Sequence, residues 1–594
     1  MIRKLIGKIH SAPWKWCFYL IAAAGLLLRL EYLREFSGEV YFPFAIGPDV
    51  QEYHERALEI VNGNFFPAVP EIHAPLYSFF LAFWYKFCGI SIGVVRCIQL
   101  ILNFAALVAL AELVRRISGK WKFAAVFLAL GVFTPVLFFH QAELISESLL
   151  LPLVTGFFWQ IYSARERKIA FFGAGMILGL TVLTHGLMNF FLAGEVIYYL
   201  IKKKYRQALL IFCGALAVIL PVISAKSLYY GKFTPIQSNS IYNLWIGNNP
   251  DATGGCYLRP GDDWETPLLS LRQEASARGV SENRILLEKI CRFYLDEPEQ
   301  ILLMPLKKTA LLLSPKEAVS GADEEYLIRK SAVQRIGAGM MAVLIVFSVI
   351  GAFFAVKKKE SAYIHFYLLT IALAAGMILT VAAGRYRQGM MAGVILLAAL
   401  GAVNLGRRAW VIILLLAGSG MVIIPALAGG IERNVESASI IGEAHYRKKE
   451  FAEAEKFLQI ARRSNHPARY HNMLGAIAEE RGDLDKAQSC YRAAMTEAPA
   501  HHDGFLNCGH LLFYHFPQER SEALKLINAA LERNPALPSA YDMLGQDFAQ
   551  RGDYAGALKN FELALKCEPG NELYQKKVKL CRQLAAKGSL KNAP

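Results

Sequence analysis

The residues best able to do chemistry in this chain stand in short polar islands between long apolar runs. One is GPDVQEYHERALEI (47–60), in which Asp49, Glu52 and Tyr53 follow a Gly-Pro pair. Asp49 is suited to cap a helix, with Glu52 three residues later closing a capping box. Val50, Tyr53, Ala57, Ile60 and Val61 then fall on one face, as in a helix lying on a membrane surface. A second is FFHQAELISESLLLP (138–152), where helical spacing would align His140, Glu143 and Glu147 on one face. Acidic groups at the margin of an apolar helix cost free energy unless they are paired or functional. A third is AAGRYRQGM, whose Arg385 and Arg387 flank Tyr386; a guanidinium fork suits a phosphate oxygen anion, and a snorkelling pair is the alternative. His185 in TVLTHGLMN could donate to phosphate or simply sit at an interface. The last island, NSIYNLWIGNNPDATGG, mixes Tyr242, Trp245, Asn248 and Asn249, as sugar sites do and as loops dipping into a membrane also do.

The elements that must position these residues are mostly membrane spans. The chain has 594 residues, 54% of them hydrophobic, and a formal net charge of +15. Its Lys and Arg residues form short clusters between apolar runs rather than one stripe, so membrane topology accounts for them better than nucleic-acid binding. Apolar stretches at 14–33, 92–113, 123–139, 148–163, 170–184, 187–201, 207–225, 336–356, 362–383, 389–406 and 409–429 suggest about eleven spans. The first follows Arg3, Lys4, Lys8 and Lys15 and reads as an uncleaved signal anchor with a cytoplasmic N-terminus. Alternation then places the clusters at 115–122, 165–168, 202–206, 357–359 and 407–408 in the cytoplasm, and the loops 34–91 and 226–335 outside. The arginines of GRYRQ (384–388) alone break the pattern. HAPLYSFFLAFWYKFCG (73–89) is too short past its proline to span, and reads as an interfacial or re-entrant helix. The ten cysteines form no CxxC pair and no metal-like spacing; Cys256 and Cys291 share the long outer loop, either bonded or as free thiols.

After residue 430 the composition turns to Glu, Lys, Ala and Tyr at helical spacing, with a period of about 34 residues. Leu474, Gly475, Gly482, Ala487, Tyr491, Ala494 and Pro499 recur as Leu544, Gly545, Gly552, Ala557, Phe561, Ala564 and Pro569, with weaker copies around Gly442 and Gly509. This is the tetratricopeptide pattern, in about four repeats. The fold class is therefore all-α: a polytopic membrane bundle over 1–430 followed by an α-solenoid over 431–594, which would offer a concave surface to a protein or serve as scaffold.

The ordered motifs GPDVQEYHERALEIVNGNFF, APLYSFFLAFWYKFCG, LISESLL, YNLWIGNNPDATGG and GRYRQ resemble the GT-C superfamily of membrane glycosyltransferases. The likeness is to the family 39 type, which includes protein O-mannosyltransferases and aminoarabinose transferases. The resemblance implies an enzyme of the plasma membrane, its site extracytoplasmic, moving a hexosyl or pentosyl group with inversion from a polyprenyl-phosphate donor to protein, lipid or glycan. It makes Asp49 the general base, with a pKa raised by a partly desolvated pocket. Arg385 and Arg387 would hold the departing phosphate, while Glu147 and Glu143 bind sugar or acceptor. Glu52, Tyr53, His185, Tyr242, Trp245, Asn248 and Tyr386 complete the substrate-binding candidates. Relatives often carry Arg-Pro where this chain has His185-Gly186. No metal and no cofactor is expected, the lipid-linked sugar being a substrate. The competing readings are an O-antigen ligase or polymerase-like enzyme using a diphosphate-linked glycan, and a scaffold acting through its repeats; a transporter is disfavoured by the scarcity of ionisable residues within the spans.

Overall fold

The computed structural model describes residues 2–67, 70–164, 167–255, 265–314, 331–337, 340–405, 434–462, 467–568 and 571–591. Among the described residues every element is helical. In chain order the helices as far as residue 312 are α1 Ile2–Ser37, α2 Pro48–Val61, α3 Leu76–Cys88, α4 Ile92–Ser118, α5 Trp121–Val132, α6 Pro135–Ala142, α7 Leu150–Tyr162, α8 Lys168–Val182, α9 Met188–Ile201, α10 Tyr205–Tyr230, α11 Ser240–Ile246, α12 Glu265–Arg278, α13 Glu282–Asp296 and α14 Gln300–Leu312. The chain divides into two compact units, one of residues 1–54, 71–258 and 286–433, the other of 55–70, 259–285 and 434–594.

In the first unit six described helices are long and apolar enough to cross a bilayer: Pro13–Ser37, Ile92–Ser118, Tyr205–Tyr230, Met340–Lys357, Ser361–Leu379 and Arg385–Asn404. Shorter apolar helices, α5, α8 and α9, stand among them. The stretch expected to span at 123–139 is two helices, because Pro135 removes a backbone donor and Thr134 before it is extended (φ −95°, ψ 103°). The expected span at 409–429, Arg407 with Arg408, Arg165 and Cys256 lie outside the described residues. Helices approach closely where side chains vanish: a Cβ on Gly175 of α8 would stand 2.1 Å from Ile211 O of α10, and one on Gly214 of α10 2.1 Å from Phe172 O. Without a hydrophobic drive between helices in lipid, such close backbone packing is what holds a bundle together. As anticipated, α3 is short, at 13 residues. It buries Tyr77, Leu81 and Tyr85 and leaves Phe83 and Phe87 exposed.

The second unit contains the repeats as helix pairs: Asn434–Arg447 with Phe451–Ala461, Pro467–Glu480 with Leu484–Glu497, His502–His515 with Arg520–Arg533, and Pro538–Gln550 with Tyr554–Cys567, followed by Glu572–Lys591. Each pair closes on an apolar seam, such as Cys508, Leu512, Ala523 and Ile527 in the third. Successive repeats are tied by ion pairs, Arg520 to Asp547 at 3.0 Å and Lys577 to Asp542 at 2.5 Å.

Candidate active site

A cleft with about 670 Å³ of empty space, part of it open to solvent, lies in the first unit, its lining including Asp49, His73, Glu147, His185 and Arg385. Five separate segments supply these five groups, and local backbone chemistry explains how Asp49, Glu147 and Arg385 are aimed.

Asp49 lies in the first turn of α2. Gly47 takes φ 109°, and its carbonyl accepts the first helical hydrogen bond, from Gln51 N at 2.9 Å. Gly47 therefore caps α2 and Pro48 holds the first helical position, where its missing N–H is no loss. The capping role expected of Asp49 does not arise, nor does the capping box with Glu52. The Asp49 carboxylate instead meets Arg385 Nη2 at 2.5 Å and His73 Nε2 at 3.5 Å. Glu52 turns to the same His73 nitrogen, at 3.3 Å. Tyr53 is buried against the His73 and Tyr77 rings, 5.1 and 4.9 Å between centroids, and also lines the cavity.

His140, Glu143 and Glu147 do not share a helical face. The α6 helix stops at Ala142, Glu143 is extended (φ −80°, ψ 152°), and a single 3₁₀ turn spans Ser146–Leu149. That extended residue parts the two carboxylates. Glu143 pairs with the buried Arg96 of α4 at 3.4 Å, away from the cavity lining, while Glu147 is 3% exposed and faces inward. Glu147 lies 3.2 Å from Arg385 Nε and 3.8 Å from His185 Nε2.

GRYRQ forms a 3₁₀ turn, Arg385–Met390. With three residues per turn, side chains two apart point in widely different directions, so Arg385 and Arg387 cannot grip one ligand. Arg385 bridges Asp49 and Glu147. Arg387 is buried and donates to the carbonyls of Leu312 at 3.4 Å and Ser314 at 2.6 Å, outside the cavity lining. Tyr386 lines the cavity, edge-on to His185 at 4.8 Å.

The lining is completed by the segment after α10, from residues the sequence did not single out: Gln237, Asn239, Ser240 and Asn243. This segment runs beside the charged cluster: Ser238 N donates to Ile72 O at 3.3 Å, next to His73, and a Cβ on Gly186 would stand 2.0 Å from Gln237 Nε2. Asn239, Ser240 and Asn243 sit at helical spacing on α11, which leaves Tyr242 and Trp245 off that face and off the lining. Asn248 is buried and structural, donating to Leu244 O at 2.6 Å and Leu379 O at 2.9 Å. His73 was likewise overlooked, though the interfacial motif begins with it. A histidine just ahead of a proline-initiated helix, opposite an acidic loop, was the only available signal.

The electrostatics reverse one expectation. Burial pushes the Asp49 carboxyl up, but the Arg385 charge and hydrogen bonds from His73 and Arg385 outweigh it and hold the carboxyl well below the usual range, not above it. Glu147 is also lowered: burial raises it, and Arg385 and His185 more than compensate. Burial lowers His73, yet its hydrogen bonds to Asp49 and Glu52 win and carry it up to about 10. His185 goes the other way, lowered chiefly by burial; its Nδ1 accepts from Leu187 N at 3.2 Å. The resting site thus holds ionised Asp49 and Glu147 against cationic Arg385 and His73, with His185 neutral. Neutral amides and a hydroxyl line the same cavity. Such a set can take up a proton, hold an anion and hydrogen-bond hydroxyls.

Residues 72–229 match the family described as dolichyl-phosphate-mannose-protein mannosyltransferase, and residues 468–501 match the tetratricopeptide repeat. No curated protein matches the sequence. Among solved structures the chain is similar to ArnT from Cupriavidus metallidurans in the apo state, at 14% identity over 90% of this chain and 81% of that one, with a TM-score of 0.42. It is also similar to the archaeal oligosaccharyltransferase AglB from Archaeoglobus fulgidus in complex with an inhibitory peptide and a dolichol-phosphate, at 12% identity, 74% and 59% coverage and a TM-score of 0.36. The MamA protein matches over 26% of this chain and 85% of its own, at 16% identity and a TM-score of 0.23. The family match over residues 72–229 and the repeat match over residues 468–501 agree with the resemblance carried by the motifs.

Proposed function

We propose that this chain is an inverting glycosyltransferase that moves a sugar from a polyprenyl-phosphate donor to an acceptor hydroxyl on the extracytoplasmic side of the membrane, with Asp49 as general base. One observation carries the reading: Arg385 joins Asp49 and Glu147 in a single cavity, at 2.5 and 3.2 Å. A base and an anion-holding guanidinium side by side are what displacement of a lipid phosphate by a hydroxyl requires.

In the reaction the acceptor oxygen forms its bond to the anomeric carbon as its proton passes to Asp49. The bond from that carbon to the phosphate oxygen breaks, and its electron pair leaves with the lipid phosphate. Attack from the face opposite the departing group inverts the centre. Arg385 is already committed to two carboxylates, so a bound phosphate competes for it. As the guanidinium turns toward phosphate, the charge holding Asp49 down is partly withdrawn and Asp49 becomes a stronger base when the acceptor is in place. Glu147, kept ionised by Arg385, then accepts from sugar or acceptor hydroxyls. Neutral His185 offers an N–H where relatives often present an arginine. Asn239, Ser240 and Asn243 supply neutral donors and acceptors for the remaining sugar hydroxyls. The chemistry needs no metal and no cofactor, and the repeats would present the acceptor or recruit a protein partner.

The test is transfer of labelled sugar by the purified full chain from polyprenyl monophosphate and polyprenyl diphosphate donors side by side. Transfer from the monophosphate alone supports the reading. Transfer from the diphosphate alone points to a ligase-like enzyme, and transfer from neither leaves the scaffold.

A further inference from the structure

Lys308 of α14 is fully buried, and among the described residues no carboxylate pairs with it. Its Nζ stands 2.7 Å from Thr380 O, 2.9 Å from Asn248 Oδ1 and 3.5 Å from Leu379 O. Three acceptors around one nitrogen call for three N–H donors, which only the ammonium form has. Burial without a counter-ion pulls the group down to about 7. The C-terminal carbonyls of helix Ile364–Leu379 supply the negative partial charge that a carboxylate would otherwise provide.

Its position bears on the cavity. Thr380 lines the cavity and lies a few residues before Arg385 in the chain. The turn between them is pinned again where Ala382 N donates to Gly254 O at 3.0 Å. Its far end returns to the end of α14, where Arg387 reaches Leu312 O and Ser314 O. The same amide that receives Lys308, Asn248, also receives Tyr294 Oη–H at 2.5 Å and terminates α11, whose Ser240 and Asn243, with Asn239 just before it, line the cavity. Gly247 lets α11 come this near: a Cβ there would stand 1.8 Å from Thr380 O and 3.1 Å from Lys308 Nζ.

We propose that Lys308 is a positioning residue of the site: from α14 it pins the Leu379–Thr380 end of the turn carrying Arg385, and so sets where that guanidinium stands between Asp49 and Glu147. Its part in transfer rests on the glycosyltransferase reading, whereas the pinning of the turn does not.

Two readouts test this on the full chain in detergent. In the first, Lys308→Met, which keeps length and loses every donor, should speed amide exchange across 381–387 by at least tenfold and leave the exchange of 502–550 unchanged. In the second, Lys308→Met should lower kcat at least tenfold with little change in KM for the acceptor. The double variant Lys308→Met/Arg385→Gln should then be no slower than Arg385→Gln alone, because a residue that acts through Arg385 has nothing left to position. If Lys308→Met does not fold, Lys308→Gln, which keeps two N–H donors, is measured in the same way. Unchanged exchange across 381–387 overturns the pinning, and losses that multiply in the double variant overturn the role through Arg385. A wild-type chain that transfers from neither donor defeats the glycosyltransferase reading, while the exchange measurement still decides the pinning.

Discussion

Replacing Arg385 with Gln removes the cation between two carboxylates, and the structure fixes what should follow. Asp49 and Glu147 lie 2.5 and 3.2 Å from the guanidinium, with side-chain exposures of 26% and 3%. Two unit charges about 4 Å apart attract by about 4 kcal/mol at an effective dielectric of about 20. Removing one partner of a buried pair costs roughly 3–5 kcal/mol, because the other is left charged and unpaired. In a chain of this size, at about 2.1 cal/mol/K of unfolding entropy per residue, that corresponds to a fall in Tm of roughly 2–4 °C at pH 8. The pH dependence carries the diagnosis. In the wild type the Asp49 carboxyl is depressed, so its contribution is fully present above the ordinary carboxylate range and is lost only as pH falls into acid. In Arg385→Gln the main charge holding both carboxyls down is gone; His73 still holds Asp49, but burial dominates at Glu147, whose carboxyl is raised. Both proteins gain stability through His73 as pH falls from 8 toward 6.5; the variant should gain more than the wild type, and go on gaining to pH 5. Adding Asp49→Asn should restore about half of the lost stability, since one buried charge has been removed. Thermal unfolding in detergent at the two pH values reads all of this. Equal Tm values, additive effects of Asp49→Asn and Arg385→Gln, or parallel pH profiles would refute the reasoning.

The other groups make separate predictions. His73 is raised to about 10, so the stability it contributes is complete below about pH 6.5 and is lost as pH rises toward 10. His73→Gln should flatten the fall in Tm between pH 7 and 10, and an unchanged slope would show that the bridge to Asp49 and Glu52 is not made. Glu143→Gln strands the buried Arg96 and should cost roughly 3–5 kcal/mol of stability, while KM for the donor stays within about twofold. A large rise in KM would return Glu143 to the binding site. In the repeats, a Cβ on Gly475 would stand 2.5 Å from the Tyr491 ring, so Gly475→Ala should destabilise that helix pair by about 1–3 kcal/mol in a circular dichroism melt.

What the sequence disclosed and what it concealed divide along physical lines. The repeats were legible because each one writes the same small-residue positions, Gly475 and Gly545 or Ala487 and Ala557, into the chain at a fixed period. The short α3 was legible because its length is bounded by Pro75 and Gly89. From spacing alone Asp49 read as a cap, because the preference of Pro48 for the first helical position was overlooked; only the family resemblance made it the candidate base. That single register change frees the carboxylate for Arg385. The helical alignment of His140, Glu143 and Glu147 failed where Glu143 and Ile145 are extended, which periodicity does not reveal. His73, Lys308 and the direction of Arg387 were illegible for a common reason. Their partners lie elsewhere in the chain, as Lys308 meets Thr380 and Arg387 meets Ser314, and spacing encodes neighbours on one element only.

The central claim is that Asp49 takes the acceptor proton, and it is tested most directly by transfer of labelled sugar from a polyprenyl-phosphate donor, comparing the wild type with Asp49→Asn. The amide keeps the size and can still hydrogen-bond, but it cannot accept the proton. The account predicts a folded variant of unaltered donor affinity whose kcat is lower by about 10²–10⁴-fold. Transfer by Asp49→Asn at a rate near that of the wild type would contradict it.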